Sequence, residues 1–312
     1  GNINLLSGDS SLGNAGSVSI SPGSSAVSGS DMLLSGGSVS TTGTGGDVII
    51  TSGVSSSSSS GAVSIQTANS GSSGVSGEIL LKTGIAAIGT SGSLILSTGV
   101  GTVGNAGKIS LSVGSGVAGK GGNVRISAGT ATNGVGGDIN LSAGSGLSTG
   151  GNIDLVSGAA TNTATGSINI NSATTATAGS GLVNMVTGDS KLNSGSLSIS
   201  TGDSSTAKAG DITVSGGSSA ANRGSTISLA AGSSSASTGG DISLTSGIST
   251  LAGSSSGDID ILTSDGTSTV SSGALLLRTG NAANGNTGNI NLLSGDSSLG
   301  NAGSVSISPG SS

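Results

Sequence analysis

Two aspartates are the best candidates for acid–base chemistry in this sequence. Asp258 and Asp260 lie two residues apart in the stretch GDIDIL, and Asp241 holds the matching place in the preceding repeat. Carboxyl groups two residues apart on an extended segment are separated by about 6–7 Å. Glycosidases use a pair of carboxyl groups at a comparable separation. The sequence shows no long loops that would build a substrate groove, so we interpret these aspartates as a solvated acidic patch.

The composition excludes the other common catalytic groups. Among 312 residues there is no His and no Cys. Without His there is no imidazole base and no Ser-His-Asp triad, and without Cys there is no thiol nucleophile, disulfide or thiolate metal ligand. We therefore predict no catalytic residue, no cofactor and a non-enzymatic function.

Aspartates also recur at two places of a repeat of about fifteen residues. They occupy its second position (Asp31, Asp47, Asp138, Asp211, Asp241, Asp258) and its ninth position (Asp9, Asp189, Asp203, Asp296). Stacked carboxylates of this kind can bind calcium, but the nine-residue calcium repeat GGxGxDxUx is absent. We predict no metal site and interpret the acids as surface groups that keep the chain soluble.

The overall composition is also unusual for a compact domain. The chain has no Phe, Trp or Tyr, contains 62 Gly, and is only 7% charged with a net charge of −6. Aromatic side chains normally supply much of a globular core, so a spherical core is not expected. No basic stripe suggests a nucleic-acid partner, and no apolar run approaches the about 20 residues that span a bilayer.

A short repeat runs through the whole chain. Its twenty copies begin at residues 1, 16, 30, 46, 61, 77, 92, 107, 122, 137, 151, 166, 181, 195, 210, 225, 240, 257, 273 and 288. Position one is Gly in 18 of the 20 copies and position eight in 17, while positions three and five are always aliphatic. Aliphatic residues two apart and bounded by Gly are typical of a short strand with one buried face.

This pattern predicts an all-β fold, a thin parallel β-solenoid of about fifteen residues per coil and about twenty coils, with uncapped ends. The second half of each coil carries weaker apolar residues, such as Leu12, Val27 and Leu147, which we expect to close it. The predicted interior is represented by Ile3, Leu5, Val18, Ile20, Ile109, Leu111, Ile139, Leu141, Ile242 and Leu244.

A longer period contains the short one. Residues 288–312 are identical to residues 1–25. We interpret 1–287 as one super-repeat of nineteen coils and 288–312 as the start of the next. The chain is then expected to be a window on a longer array, continued axially by further copies of itself.

Several aliphatic residues fall at positions four and six, which alternation directs outward, and some lie in neighbouring coils. They form a predicted lateral interface between solenoids: Leu33, Ile49, Leu80, Ile95, Leu262, Leu276 and Leu293. The alternative is that loops fold back locally over the same patches.

Three stretches carry a resemblance to a known group of proteins. They are GGDINLSAGSG at 136–146, GNIDLVSG at 151–158 and GGDISLTSG at 239–247. These resemble the glycine/serine-rich repeats of very large surface proteins of diatoms and related algae, and more loosely those of filamentous haemagglutinin-type adhesins. The resemblance implies a secreted, fibrous and adhesive protein.

The sequence thus favours a structural or adhesive fibre, extracellular or at the cell surface. Its partners would be other copies of itself, with weak contacts to hydrated surfaces or glycans and none to nucleic acid or membrane interior. The alternative is an ice-binding β-solenoid, although Thr residues such as Thr83 and Thr98 fall at the inward seventh position instead of forming an outward ladder.

Overall fold

The computed structural model describes residues 1–267 and 269–310. Within these ranges the chain forms no helix and no strand. The prediction of an all-β, thin parallel β-solenoid is therefore wrong. The aliphatic alternation is real, but the segments that carry it do not join into a ladder of backbone hydrogen bonds.

The accessible surface shows how open the chain is. It amounts to 30,444 Å² for a mass of 28.4 kDa. A folded globular protein of that mass exposes about 11,000 Å², and a fully extended chain about 41,000 Å². The surface that most proteins bury in a core therefore stays in water here.

The residues predicted to form the solenoid interior do not form a core. No hydrophobic residue of the described ranges is buried, and the predicted interior residues are 52–88% exposed. They are Ile3, Leu5, Val18, Ile20, Ile109, Leu111, Ile139, Leu141, Ile242 and Leu244. Two aliphatic side chains per repeat, with no aromatic to widen the apolar area, provide too little burial to offset the entropy of ordering about fifteen residues.

What repeats in the structure is a bend. One bend falls near positions eleven to thirteen of nearly every repeat, at residues 11–13, 26–27, 40–43, 56–58, 72–74, 87–89, 102–104, 117–119, 132–134, 147–148, 161–163, 176–178, 191–192, 205–207, 220–222, 235–237, 251–253, 283–285 and 298–300. Each repeat is therefore a segment at positions two to seven followed by a bent loop that begins at position eight.

Backbone hydrogen bonds close many of these loops. In eight loops of the described ranges the N–H of position one of the next repeat donates to the carbonyl of position eight, over 2.8–3.1 Å. The pairs are Gly46 to Gly37, Gly61 to Gly53, Gly137 to Gly129, Gly151 to Gly144, Gly166 to Gly158, Ser225 to Gly217, Gly240 to Gly232 and Gly257 to Gly247. These bonds join residues seven to ten apart, whereas stacked coils would join residues about fifteen apart.

The chain divides into two units, Gly1–Asp154 and Leu155–Ser312. Each contains both features, since closed loops occur at Gly129–Gly137 in the first unit and at Gly232–Gly240 in the second. Among the described residues, each unit contains four of the eight loops that a neck hydrogen bond closes.

Candidate functional site

The most regular local structure is the neck of each loop, which we define as positions seven and eight of one repeat together with position one of the next. A Cβ atom added to Gly137 would lie 3.4 Å from the Cβ of Ala128, and one added to Gly240 would lie 3.4 Å from the Cβ of Ala231. A Cβ added at position eight, for example at Gly129, would meet nothing within 4 Å. The glycine at position one therefore permits a close approach, whereas the glycine at position eight borders open space.

The duplicated 25-residue sequence shows which neighbours cover the aliphatic residues. Ile3 is 88% exposed, while Ile290, the same residue in the second copy, is 52% exposed and has a repeat before it. The opposite holds at position five, where Ile20 is 65% exposed but Ile307, which no complete described repeat follows, is 89% exposed. The preceding repeat therefore covers position three, and the following repeat covers position five.

The neck explains this pattern of cover. Because Ala128 lies beside Gly137, an antiparallel course of the segments before and after the loop would place Ile126 opposite Ile139. We infer from this approach and from the exposures that position five of one repeat faces position three of the next. Each of these aliphatic residues is covered by one neighbouring repeat only and stays about half exposed, and the contact does not extend into a sheet.

Hydroxyl groups at position ten brace the bends. Eleven of the twenty repeats have Ser or Thr there, and ten of these hydroxyl oxygens accept a backbone N–H from two or three residues further on, at 2.9–3.3 Å. They are Ser10, Ser25, Ser55, Thr175, Ser190, Ser204, Ser219, Ser234, Ser249 and Ser297. Such short side-chain-to-backbone bonds stabilise turns without a helix or sheet.

Where position ten is glycine, the bend forms without a side-chain hydroxyl. A Cβ added to Gly101 would lie 2.6 Å from the carbonyl oxygen of Gly104, and one added to Gly146 or Gly266 would collide with a backbone carbonyl. In these repeats the absence of a side chain lets the bend tighten against its own backbone.

The sequence signal for position ten is its composition, since Ser, Thr or Gly fills this position in fifteen of the twenty repeats. The same small residues also fit the closing side of a coil, so the pattern alone does not show that they stabilise a bend.

The apolar residues expected to close that coil lie at the loop tips instead. Leu12, Val27 and Leu147 are almost fully exposed. The predicted lateral-interface residues are also open to solvent, at 64–87% exposure: Leu33, Ile49, Leu80, Ile95, Leu262, Leu276 and Leu293. The structure thus leaves both sets of side chains available to another molecule.

The charged residues form no concentrated site in the described part of the chain. Asp241, Asp258 and Asp260 are exposed. No group of three acidic, His or Cys residues in the described ranges is arranged to hold a metal ion, and no pocket is present there. Lys208 and Asp211 form an ion pair at 2.9 Å, but both are well exposed and such a pair contributes little to stability.

Comparisons with protein-family models, curated protein sequences and solved structures gave no match to this chain. In the described ranges, no helix has the length and apolar character needed to cross a membrane. The ice-binding alternative required a β-solenoid with an ice-binding face. The described residues form no strand and so provide no such face.

Proposed function

We propose that this chain is part of an extracellular or cell-surface fibre with a structural or adhesive role. Many loop repeats run in tandem along the fibre, and neighbouring chains associate side by side through exposed aliphatic residues. The function is mechanical and non-enzymatic in this proposal.

The observation that carries the proposal is the combination of a strict repeat with large aliphatic residues that are all at least about half open to solvent in the described ranges. The described residues include no buried hydrophobic residue, while aliphatic positions recur through all twenty repeats. Exposed apolar area of this extent favours association, because covering it removes it from water.

Low charge supports side-by-side association of identical chains. Only 7% of the residues are charged, with a net charge of −6 over 312 residues. Electrostatic repulsion between two copies is therefore weak, and is screened within about 8 Å at physiological ionic strength. The polar Ser, Thr and Asn side chains that remain on the surface would supply the many weak contacts of an adhesive.

The lateral association is tested by placing charges in the aliphatic patch. Leu80 and Ile95 are 64% and 79% exposed and belong to neighbouring repeats. Changing both to Asp (Leu80→Asp with Ile95→Asp) should reduce the fraction of chain that sediments as bundles at least about fivefold, because burying a carboxylate in an apolar contact is costly. Analytical sedimentation and electron microscopy of the same samples measure this fraction.

A control variant carries the same charge at the same repeat position without removing an aliphatic residue. Ser110→Asp with Asn140→Asp places two carboxylates at position four of other repeats. We expect this control to bundle like the unchanged chain. Equal bundling by all three proteins would overturn the lateral association.

A further inference from the structure

In eight loops of the described ranges a backbone hydrogen bond joins the two sides of the neck. At Gly129–Gly137 the closure consists of one backbone hydrogen bond of 2.9 Å and the close approach of Ala128 to Gly137. No pocket and no buried residue anchors the loop elsewhere in the described ranges. Such a neck can open without disturbing loops further along the chain.

Opening a neck would lengthen the chain considerably. The nine residues from Gly129 to Gly137 span at most about 29 Å between their ends when extended, whereas one hydrogen bond joins these two ends in the closed neck. Tension that opens a closed loop would therefore increase the end-to-end length of the chain.

Loops with and without the position-ten hydroxyl are grouped along the sequence. Six consecutive repeats, from 166 to 256, all have a bracing hydroxyl, at Thr175, Ser190, Ser204, Ser219, Ser234 and Ser249. Six consecutive repeats, from 77 to 165, all have Ala or Gly there, at Ala86, Gly101, Gly116, Ala131, Gly146 and Ala160.

We propose that the repeats are clasped loops, which we define as loops closed at the neck by the backbone hydrogen bond and the close approach of positions seven and one. The necks open and close independently, and the position-ten residue determines how stable each closed neck is. The super-repeat then alternates braced blocks with unbraced blocks, and the unbraced block 77–165 yields length first under tension. The role of this extension in a fibre rests on the proposed function; the clasp itself does not.

Cysteine pairs across the neck test the clasp directly, because the chain contains no Cys of its own. A Cβ added to Gly137 would lie 3.4 Å from the Cβ of Ala128, close to the about 3.8 Å of a disulfide. The pair Ala128→Cys with Gly137→Cys is compared with Asn133→Cys with Ser142→Cys, which has the same spacing along the chain but lies outside the neck. Equilibration of the full chain in glutathione buffers measures the effective thiol concentration of each pair.

We expect the neck pair to exceed the control pair at least about tenfold, which corresponds to about 1.4 kcal/mol. An unstructured chain would give equal values, because loop-closure entropy depends mainly on the number of residues enclosed. Equal values would therefore overturn the clasp.

The bracing role has its own matched pair. Ala231→Cys with Gly240→Cys has the same spacing, the same residue types and the same 3.4 Å separation as the first neck pair, but its loop contains Ser234 instead of Ala131. The effective thiol concentration of this pair should be about fivefold higher. This factor corresponds to the free-energy contribution of one typical hydrogen bond. Adding Ser234→Ala should remove this difference, and adding Ala131→Ser to the first pair should produce it.

No change on Ser234→Ala would overturn the bracing role. The cysteine measurements use dilute, unbundled protein. A failure of the bundling test would therefore leave the clasp standing, and a failure of the clasp would leave lateral association standing.

Discussion

Glycine meets different requirements at different positions of this repeat. At position one it allows the neck to close, as Gly137 does beside Ala128, and at position ten it allows the bend to tighten, as Gly101 does against Gly104. Gly89, the last residue of its bend, has a φ of 102°, a conformation that L-residues with side chains rarely adopt. A count of glycines does not separate these roles, but the local geometry does.

A pair of glycines two residues apart tests this distinction. Gly101→Ala should disrupt the bend at 102–104, because the added Cβ would lie 2.6 Å from a carbonyl oxygen that belongs to the bend itself. Relieving such a contact costs about 1–3 kcal/mol. The measurement is the change in ¹³Cα chemical shifts of residues 102–104.

The control is Gly99→Ala, where the added Cβ would meet nothing within 4 Å. This variant should leave the shifts at 102–104 almost unchanged. If both variants perturbed the bend equally, the close approach at Gly101 would not be what requires glycine there.

The neck is the element that relates one repeat to the next. Position five of each repeat faces position three of the following repeat, as the exposures of Ile3, Ile290, Ile20 and Ile307 indicate. A parallel solenoid would instead place position three above position three. The two arrangements bury similar residue types but pair different residues.

Methyl contacts distinguish the two arrangements. If position five faces position three of the next repeat, Ile126 should show nuclear Overhauser contacts to Ile139. This pairing follows from the close approach of Ala128 to Gly137. Val124, which has the same repeat position as Ile139, should show none to it. Selective methyl labelling of Ile and Val measures both.

The variant Ile126→Ala serves as the control, since it should remove the contact and increase the solvent exposure of Ile139. A contact from Val124 to Ile139 in the unchanged chain would contradict the neck and restore coil stacking.

For the protein as a whole, we expect the lack of a buried core among the described residues to determine the response to heat. Each repeat is covered only by its immediate neighbours, and the described residues contain none that is buried. Stability in such a chain is a sum of local terms. Cooperative unfolding, which depends on a common core, is not expected.

Calorimetry tests this expectation. A globular protein of 312 residues absorbs about 200 kcal/mol on unfolding near 60 °C, whereas we expect less than about a tenth of that and no sharp peak. The Leu80→Asp with Ile95→Asp variant should be measured alongside at low concentration, so that dissociation of bundles is not mistaken for unfolding. A sharp endotherm in that variant would show a cooperative fold.

The repeat of about fifteen residues, the glycines that bound it and the absence of His and Cys are all evident from the sequence. It also predicted which side chains are more open, since the position-four residues Leu33 and Ile49 are more exposed than the position-three residues Met32 and Val48. These properties follow from residue type and from a period of two along the chain.

Which residues each repeat contacts is evident only from the three-dimensional structure. The same glycines and alternating aliphatics fit a stacked coil or a closed loop, because periodicity fixes the side on which a residue lies but not its partner. The choice depends on whether the apolar area per repeat can offset the entropy of ordering a full coil. With two half-covered aliphatic residues per repeat, closure stops at the neck between Gly129 and Gly137 and at its counterparts, and the coil does not form.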